Sequence, residues 1–217
     1  TDWRREIVWI RPGLYVVRDV ITALADGRYT VNVSWRPSSQ PKPDGAAWVV
    51  AERGAQLRIT PLGEPWQVVA GEEEDRAWHK TSWNLRQCVT ARLEHGESVA
   101  GITVLQAEKT GTTPFYDARL VSSQEIILTT GAGKSSPIRV IWGPSQAAGV
   151  ETDAAVLVME ADEIQLTHAT RLKVAGETLF EADHSVGARV DWQQGRAAVD
   201  LGASAQPAKV KIRGGKG

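Results

Sequence analysis

Cysteine, phenylalanine and methionine are almost missing from this chain. Its 217 residues include one Cys, one Met, two Phe and three Tyr, against nine Trp. A lone Cys88 excludes an internal disulfide and a Cys-rich zinc site, and it leaves the compartment open. The apolar runs are far too short to span a bilayer as helices. The net charge of −1 gives neither sign an excess, so no global field points to nucleic acid or to a membrane surface. No basic segment followed by an apolar stretch reads as a leader. No amphipathic stretch carries helix caps, and no fixed-period repeat occurs. What remains is ordinary globular material, 42% hydrophobic and 24% charged. It is long enough for one large all-β domain or two small ones.

What is present is strand texture. RREIVWIRPGLYVVRDVIT, Arg4 to Thr22, reads as two strands joined at Pro12-Gly13. The second, LYVVRDVI, is apolar on both faces and belongs in the middle of a sheet. Tyr29, Val31, Val33 and Trp35 alternate with polar residues, the period-2 pattern of a half-buried strand. Asp26-Gly27 just before them is a hairpin-turn signal, and Arg53-Gly54 and His95-Gly96 mark further turns. RLVSSQEIILTT and PIRVIWG read as strands flanking GAGKSS. After GPSQAAG the strands become short and closely spaced: AAVLVME, EIQLTHATRLKV, TLFEA, ARVDW, RAAVDLG and AKVKIR. Turn signals recurring every few residues predict an all-β fold, an antiparallel two-layer β-sandwich with little or no helix. The texture change divides it into a main region over residues 1–145 and a C-terminal β subdomain, or last sheet of the same sandwich, over 146–217. A chain whose first residues already form a hairpin reads as a piece of something larger.

Candidate chemistry is sparse. His79 lies between Trp78 and Trp83 and could bind sugar, although a strand-end histidine at a core rim explains it more simply. His168 shares the period-2 face Ile164, Leu166, His168, Thr170, Leu172 and reads as a core histidine. His95 sits in a turn. His184 and Asp183 are adjacent and point to opposite faces, which argues against a metal. Glu72–Asp75 lacks the spacing of a calcium loop, and GAGKSS lacks P-loop spacing, so both read as loops. No nucleophile elbow and no glycosidase carboxylate pair is recognisable. No catalytic residue, metal ligand or cofactor is assigned.

Tryptophan suits either a sandwich core or a sugar-stacking surface. Trp35 and Trp192 share faces with aliphatic residues and are expected in the core. Trp9, Trp48, Trp78, Trp83 and Trp142 lie in strand-like stretches and are expected to be mostly buried. Trp66, in the turn-like GEPWQ, and Trp3 are the expected exposed pair. With His79 they form the candidate carbohydrate-binding set: Trp66, Trp3 and His79.

RREIVWIRPGLYVVRDVITA resembles a segment of the β-sandwich of heparinase II/III-like polysaccharide lyases. TVNVSWRP and the strand GITVLQA also fit, so the likeness runs over about residues 4–106. Such enzymes join an α-helical toroid to an antiparallel sandwich and cleave acidic polysaccharides, glycosaminoglycans among them, by β-elimination. Their base and acid come mostly from the toroid, and the sandwich's His-rich stretch lies upstream of the matching segment. No catalytic position maps onto this chain. The resemblance therefore implies a non-catalytic region, inactive alone, that braces a helical domain N-terminal to it and completes one wall of the glycan cleft. It implies an acidic polysaccharide as partner, an extracellular or periplasmic location, and no nucleic-acid or membrane partner. The rival classes are an independent carbohydrate-binding module and a structural or assembly domain without ligand.

Overall fold

The computed structural model of the chain describes residues 1–63, 67–73, 82–109, 116–130, 136–146, 149–191, 196–200 and 209–212. Every regular element among them is a strand, and the sheets are antiparallel, as the alternation predicts. The chain divides into two compact units, Thr1–Ala118 and Arg119–Gly217. The division comes earlier than the texture change at residues 145–146. The reason is hydrogen bonding: strands β11 (Glu125–Thr130) and β12 (Ile138–Trp142) pair with each other, and β12 pairs onward with β14 (Val156–Met159). They therefore belong to the C-terminal sheet.

The first unit has two sheets. One runs in the order β1 (Asp2–Arg11), β2 (Leu14–Thr22), β9 (Ser98–Lys109), β6 (Ala55–Leu62), β5 (Ala47–Glu52), β4 (Lys42–Asp44). The other is β3 (Gly27–Trp35), β8 (Ser82–Leu93), β7 (Gln67–Glu73). The acidic stretch read from sequence as a loop, Glu72–Asp75, thus contributes the end of β7. The sheets pack face to face. Ile21 meets Val33 and Val89, while Val50 and Ile59 meet Leu85, with Trp35 and Leu105 packed against them. Burying each aliphatic side chain of this kind contributes about 1.5–3 kcal/mol, which makes the alternating face of β3 a main source of adhesion.

β2 lies between β1 and β9 and is buried on both faces, as its apolar sequence predicts. Its turn to β1 has Pro12 followed by Gly13 at φ +78, the order and backbone that a type II turn requires. A Cβ on Gly13 would lie 2.8 Å from the Ala107 carbonyl oxygen, so the position excludes side chains twice over. Arg53 and Gly54 both take positive φ, 50° and 81°, in the two-residue hairpin between β5 and β6.

Asp26-Gly27 is not a hairpin turn: β2 and β3 lie in different sheets. The same is true across His95-Gly96, which turns the chain from β8 to β9 without pairing them. The two corners are stitched together instead. Gly96 N–H donates to the Ala23 carbonyl at 2.8 Å, and His95 N–H donates to Asp26 Oδ1 at 2.8 Å. A turn signal fixes where the chain bends; which sheet the next strand joins depends on contacts distant in sequence.

RLVSSQEIILTT is two strands, β10 (Tyr116–Ser122) and β11, with a turn at Ser123-Gln124. In the C-terminal unit, β15 (Glu163–Val174) and β16 (Glu177–Asp191) make one long hairpin, so the separately expected TLFEA and ARVDW are a single strand. The inner half of the hairpin pairs with β14 and β17 (Arg196–Asp200). The outer half pairs with β13 (Val150–Thr152) and β18 (Val210–Ile212). Register breaks between Leu166 and Leu172 separate the halves, and one core collects Ile164, Leu166, Ala169, Leu172 and Phe180.

These breaks overturn the core placement of His168. The residue takes φ +53 and is exposed, and Ala169 is buried in its stead. The first break shifts the facing so that Ala169 turns inward, and the second restores the phase in which Leu172 is buried. Asp153 pins the bulge. Its Oδ1 accepts N–H groups of Thr170 at 3.0 Å and Arg171 at 2.9 Å, and its Oδ2 accepts the Thr170 hydroxyl.

Candidate functional site

The first hairpin carries the exposed aromatic residues. In the β1–β2 register Trp3 faces Ile21, Arg5 faces Asp19, Ile7 faces Val17 and Trp9 faces Tyr15. Alternation puts all eight side chains on one face of the sheet. Toward Ile21 that face is covered by β3 and β8. Along the edge strand β1, and at Tyr15, it is open: Trp3 is 60% exposed, Ile7 64%, Trp9 62% and Tyr15 38%, whereas Val17 and Asp19 on β2 are buried. From Trp3 to Trp9 the row covers about 20 Å at the strand rise of ~3.3 Å per residue.

One end of the row is fixed by charge. Asp19 is 1% exposed, and a buried carboxylate needs full pairing. Arg5 supplies it through Nε at 2.8 Å and Nη2 at 3.1 Å, and Trp3 Nε1 donates to Oδ1 at 2.8 Å. The Arg5 guanidinium lies over two indoles, 5.2 Å from the Trp3 ring centre and 5.1 Å from that of Trp35, within cation–π range. Trp35 in turn donates through Nε1 to the buried Gln87 Oε1 at 3.1 Å, which also accepts from Thr103 Oγ1 at 2.6 Å. The Trp3 indole therefore has its polar edge bound and its plane held against Arg5, while much of its surface is solvent-facing. On the opposite face Arg18, also buried, pairs with Glu6 at 3.0 Å, and Glu6 reaches Arg4 at 3.0 Å.

Of the three sequence-predicted residues, Trp3 is exposed and belongs to this row. Trp66 and His79 lie outside the described residues, as do Trp78 and Trp192. Trp142 is buried at 1% exposure; Trp35, Trp48 and Trp83 are partly buried. Trp9 departs from its expected burial, because β1 ends its sheet and, among the described residues, pairs with β2 alone. Trp9, Ile7 and Tyr15 are the residues sequence reasoning missed. A partial signal existed: period 2 groups Trp3, Arg5, Ile7 and Trp9 on one face of β1, but the Pro12-Gly13 turn alone would set Ile10 against Tyr15, and the irregularity between Trp9 and Arg11 is what brings Trp9 opposite Tyr15.

Nothing else among the described residues assembles a reaction centre. An elimination site within this chain would need Tyr116, His79 and Arg119 to converge; Tyr116 is buried, and Arg119, three residues on in the same strand, faces the other way and is exposed. His184 Nδ1 lies 2.8 Å from Asp183 Oδ1, and among the described residues no three His, Cys, Asp or Glu side chains are grouped to hold a metal. A polar concavity of about 520 Å³ beside β4–β6 is lined by Lys42, Asp44, Gln56 and Arg58, but Arg58 is already engaged by Asp44 and no aromatic lines it. No helix among the described residues is long and apolar enough to cross a membrane. No protein-family model matches the chain, and no curated protein matches it.

Proposed function

We propose that this chain is the non-catalytic β-sandwich region of a heparinase II/III-like polysaccharide lyase, with the β1–β2 aromatic row as one wall of an acidic glycan's path. In this reading the reaction is β-elimination carried out by a helical domain N-terminal to the chain, and the protein works outside the cell or in the periplasm. The observation that supports it is the row itself, Trp3, Trp9 and Tyr15 exposed on one face beside the Arg5 guanidinium. Indole and phenol rings stack on the apolar faces of sugar rings, and the row falls within RREIVWIRPGLYVVRDVITA, the segment that carries the family resemblance.

The test combines product detection and binding. The isolated chain is incubated with heparan sulfate, alginate and hyaluronan, and ultraviolet absorbance of unsaturated uronates is followed. No product is expected, and steady product growth refutes the non-catalytic assignment. Calorimetric titration with acidic oligosaccharides is expected to give affinity no better than about millimolar, worth about 4 kcal/mol, since half of the cleft is supplied elsewhere. Micromolar affinity that disappears in Trp9→Ala or Trp66→Ala replaces this reading with an independent carbohydrate-binding module, the second reading the same exposed rings favour.

A further inference from the structure

We infer that the outer edge of β1 is a self-association site, at which a second copy of the chain adds antiparallel and joins the two six-stranded sheets into one. β1 is ten residues long, Asp2–Arg11, and ends its sheet: among the described residues it pairs with β2 alone. Its outer row of N–H and C=O groups is therefore a template for another strand. Soluble proteins blunt such edges with proline, with charged side chains, lysine above all, or with a mid-strand bulge; charges of both signs, as on β1, do so only in registers that set like signs together. β1 has no proline and no lysine, and its one irregularity falls between Trp9 and Arg11, at the far end.

Charge selects both the occupant and the register. Two copies related by a twofold axis pair residue i with residue j at constant i + j, and faces match only when that sum is even. Centring the axis on Arg5 sets Arg4 opposite the partner's Glu6, and Glu6 opposite the partner's Arg4, giving two opposite-charge pairs on one face. On the other face it sets Trp3 opposite Ile7 twice, the aromatic–β-branched pairing that sheets favour. The facing Arg5 side chains each arrive already neutralised by their own Asp19. Centring on Glu6 sets like charges together, and centring on Arg4 does the same. Centring on Ile7 leaves Glu6 against Val8 and Arg4 against Ile10. Centring on Trp3 pairs Asp2 with Arg4 but overlaps only three residues of each strand, so among the longer registers the strand is self-complementary in one. Arg4 can turn outward, its side chain being 66% exposed and its ion pair among the described residues being the one to Glu6. In the resulting dimer both aromatic rows lie on the same face of a continuous sheet. The inference does not rest on the glycan reading, because the association needs no ligand.

Sedimentation velocity on the full chain, without glycan, tests it. An interface of one strand pair with its flanking side chains is small, so the expected dissociation constant is about 10–100 μM. Dimer should therefore accumulate between about 1 and 500 μM and recede as salt is raised. Arg4→Glu, at an exposed position, should weaken dimerisation about tenfold or more by setting glutamates opposite each other. Glu6→Arg should do likewise, and an equimolar mixture of the two variants should form a heterodimer about as tight as the parent. Glu6 also pairs with Arg18, so this variant is first checked for native circular dichroism; should it fail to fold, Ile7→Lys, at a 64% exposed position, takes its place and should abolish the dimer. A chain that stays monomeric over the whole range overturns the inference, as does a dimer indifferent to Arg4→Glu.

Discussion

Trp35→Ala tests the way the two sheets of the N-terminal unit are joined. Trp35 ends β3, packs against both core clusters between the sheets, donates to Gln87 and carries Arg5 over its ring. Truncating a fully buried Phe or Trp to Ala costs about 3–5 kcal/mol. Trp35 is only partly buried, which brings its packing share to about 2–3 kcal/mol on the same scale. Losing the indole N–H to a buried amide oxygen adds about 1 kcal/mol. The cation–π term adds at most about 0.5–1 kcal/mol, less because Arg5 keeps Trp3 and Asp19. The expected total is about 3–5 kcal/mol, or roughly 10–20 °C in the melting of a unit this size. Trp35→Phe is the control: it keeps most of the apolar contact, loses the N–H, and should cost about 1–1.5 kcal/mol. Urea titrations followed by far-ultraviolet circular dichroism measure both, with the two units allowed separate transitions. A Trp35→Ala midpoint within error of the parent would mean that Trp35 does not clamp the sheets, and would make it a further exposed ring beside Trp3.

Two further perturbations probe the turns and bulges that shape the sheets. Gly13→Ala should destabilise by about 1–3 kcal/mol, since it forces a side chain into positive φ and into the Ala107 carbonyl oxygen; unchanged urea stability would refute that close approach. Burial raises the Asp153 pKa, but the Thr170 hydroxyl and the N–H groups of Thr170 and Arg171 outweigh it and hold the carboxyl below its ordinary value of 3.8. A depressed folded-state pKa contributes stability that is complete above the unfolded value and is lost as pH falls through the folded one. Asp153→Asn should therefore cost about 1–2 kcal/mol at neutral pH, the low end for charged hydrogen bonds because the group is largely solvent-screened. The gap between parent and variant should close below pH about 4. A gap that persists at pH about 2 would show that Asp153 acts through shape and not charge.

How far the sequence discloses this architecture depends on the range of the interaction that decides each feature. β3 is legible because Tyr29, Val31, Val33 and Trp35 need only period 2, and β2 because a strand apolar on both faces has to be interior. The Pro12-Gly13 turn is legible for the same local reason, but the cross-strand pairing of Trp9 and Tyr15 is not, because it depends on the irregularity between Trp9 and Arg11. His168 was not, because a bulge leaves the hydrophobic pattern readable in either phase; only the hydrogen bonds from Asp153, more than a dozen residues away, choose it. Nor were the corners at Asp26 and Gly96, where the next strand joins a different sheet. The candidate site falls between these cases. Its members on β1 could be listed from alternation alone. Their exposure could not, since it follows from β1 having no described neighbour on its outer side. A tryptophan in a strand is buried or exposed according to what the rest of the chain lays over it. The same fact gives the edge its force: the backbone row and the indoles that the fold leaves uncovered are where a partner gains most by binding.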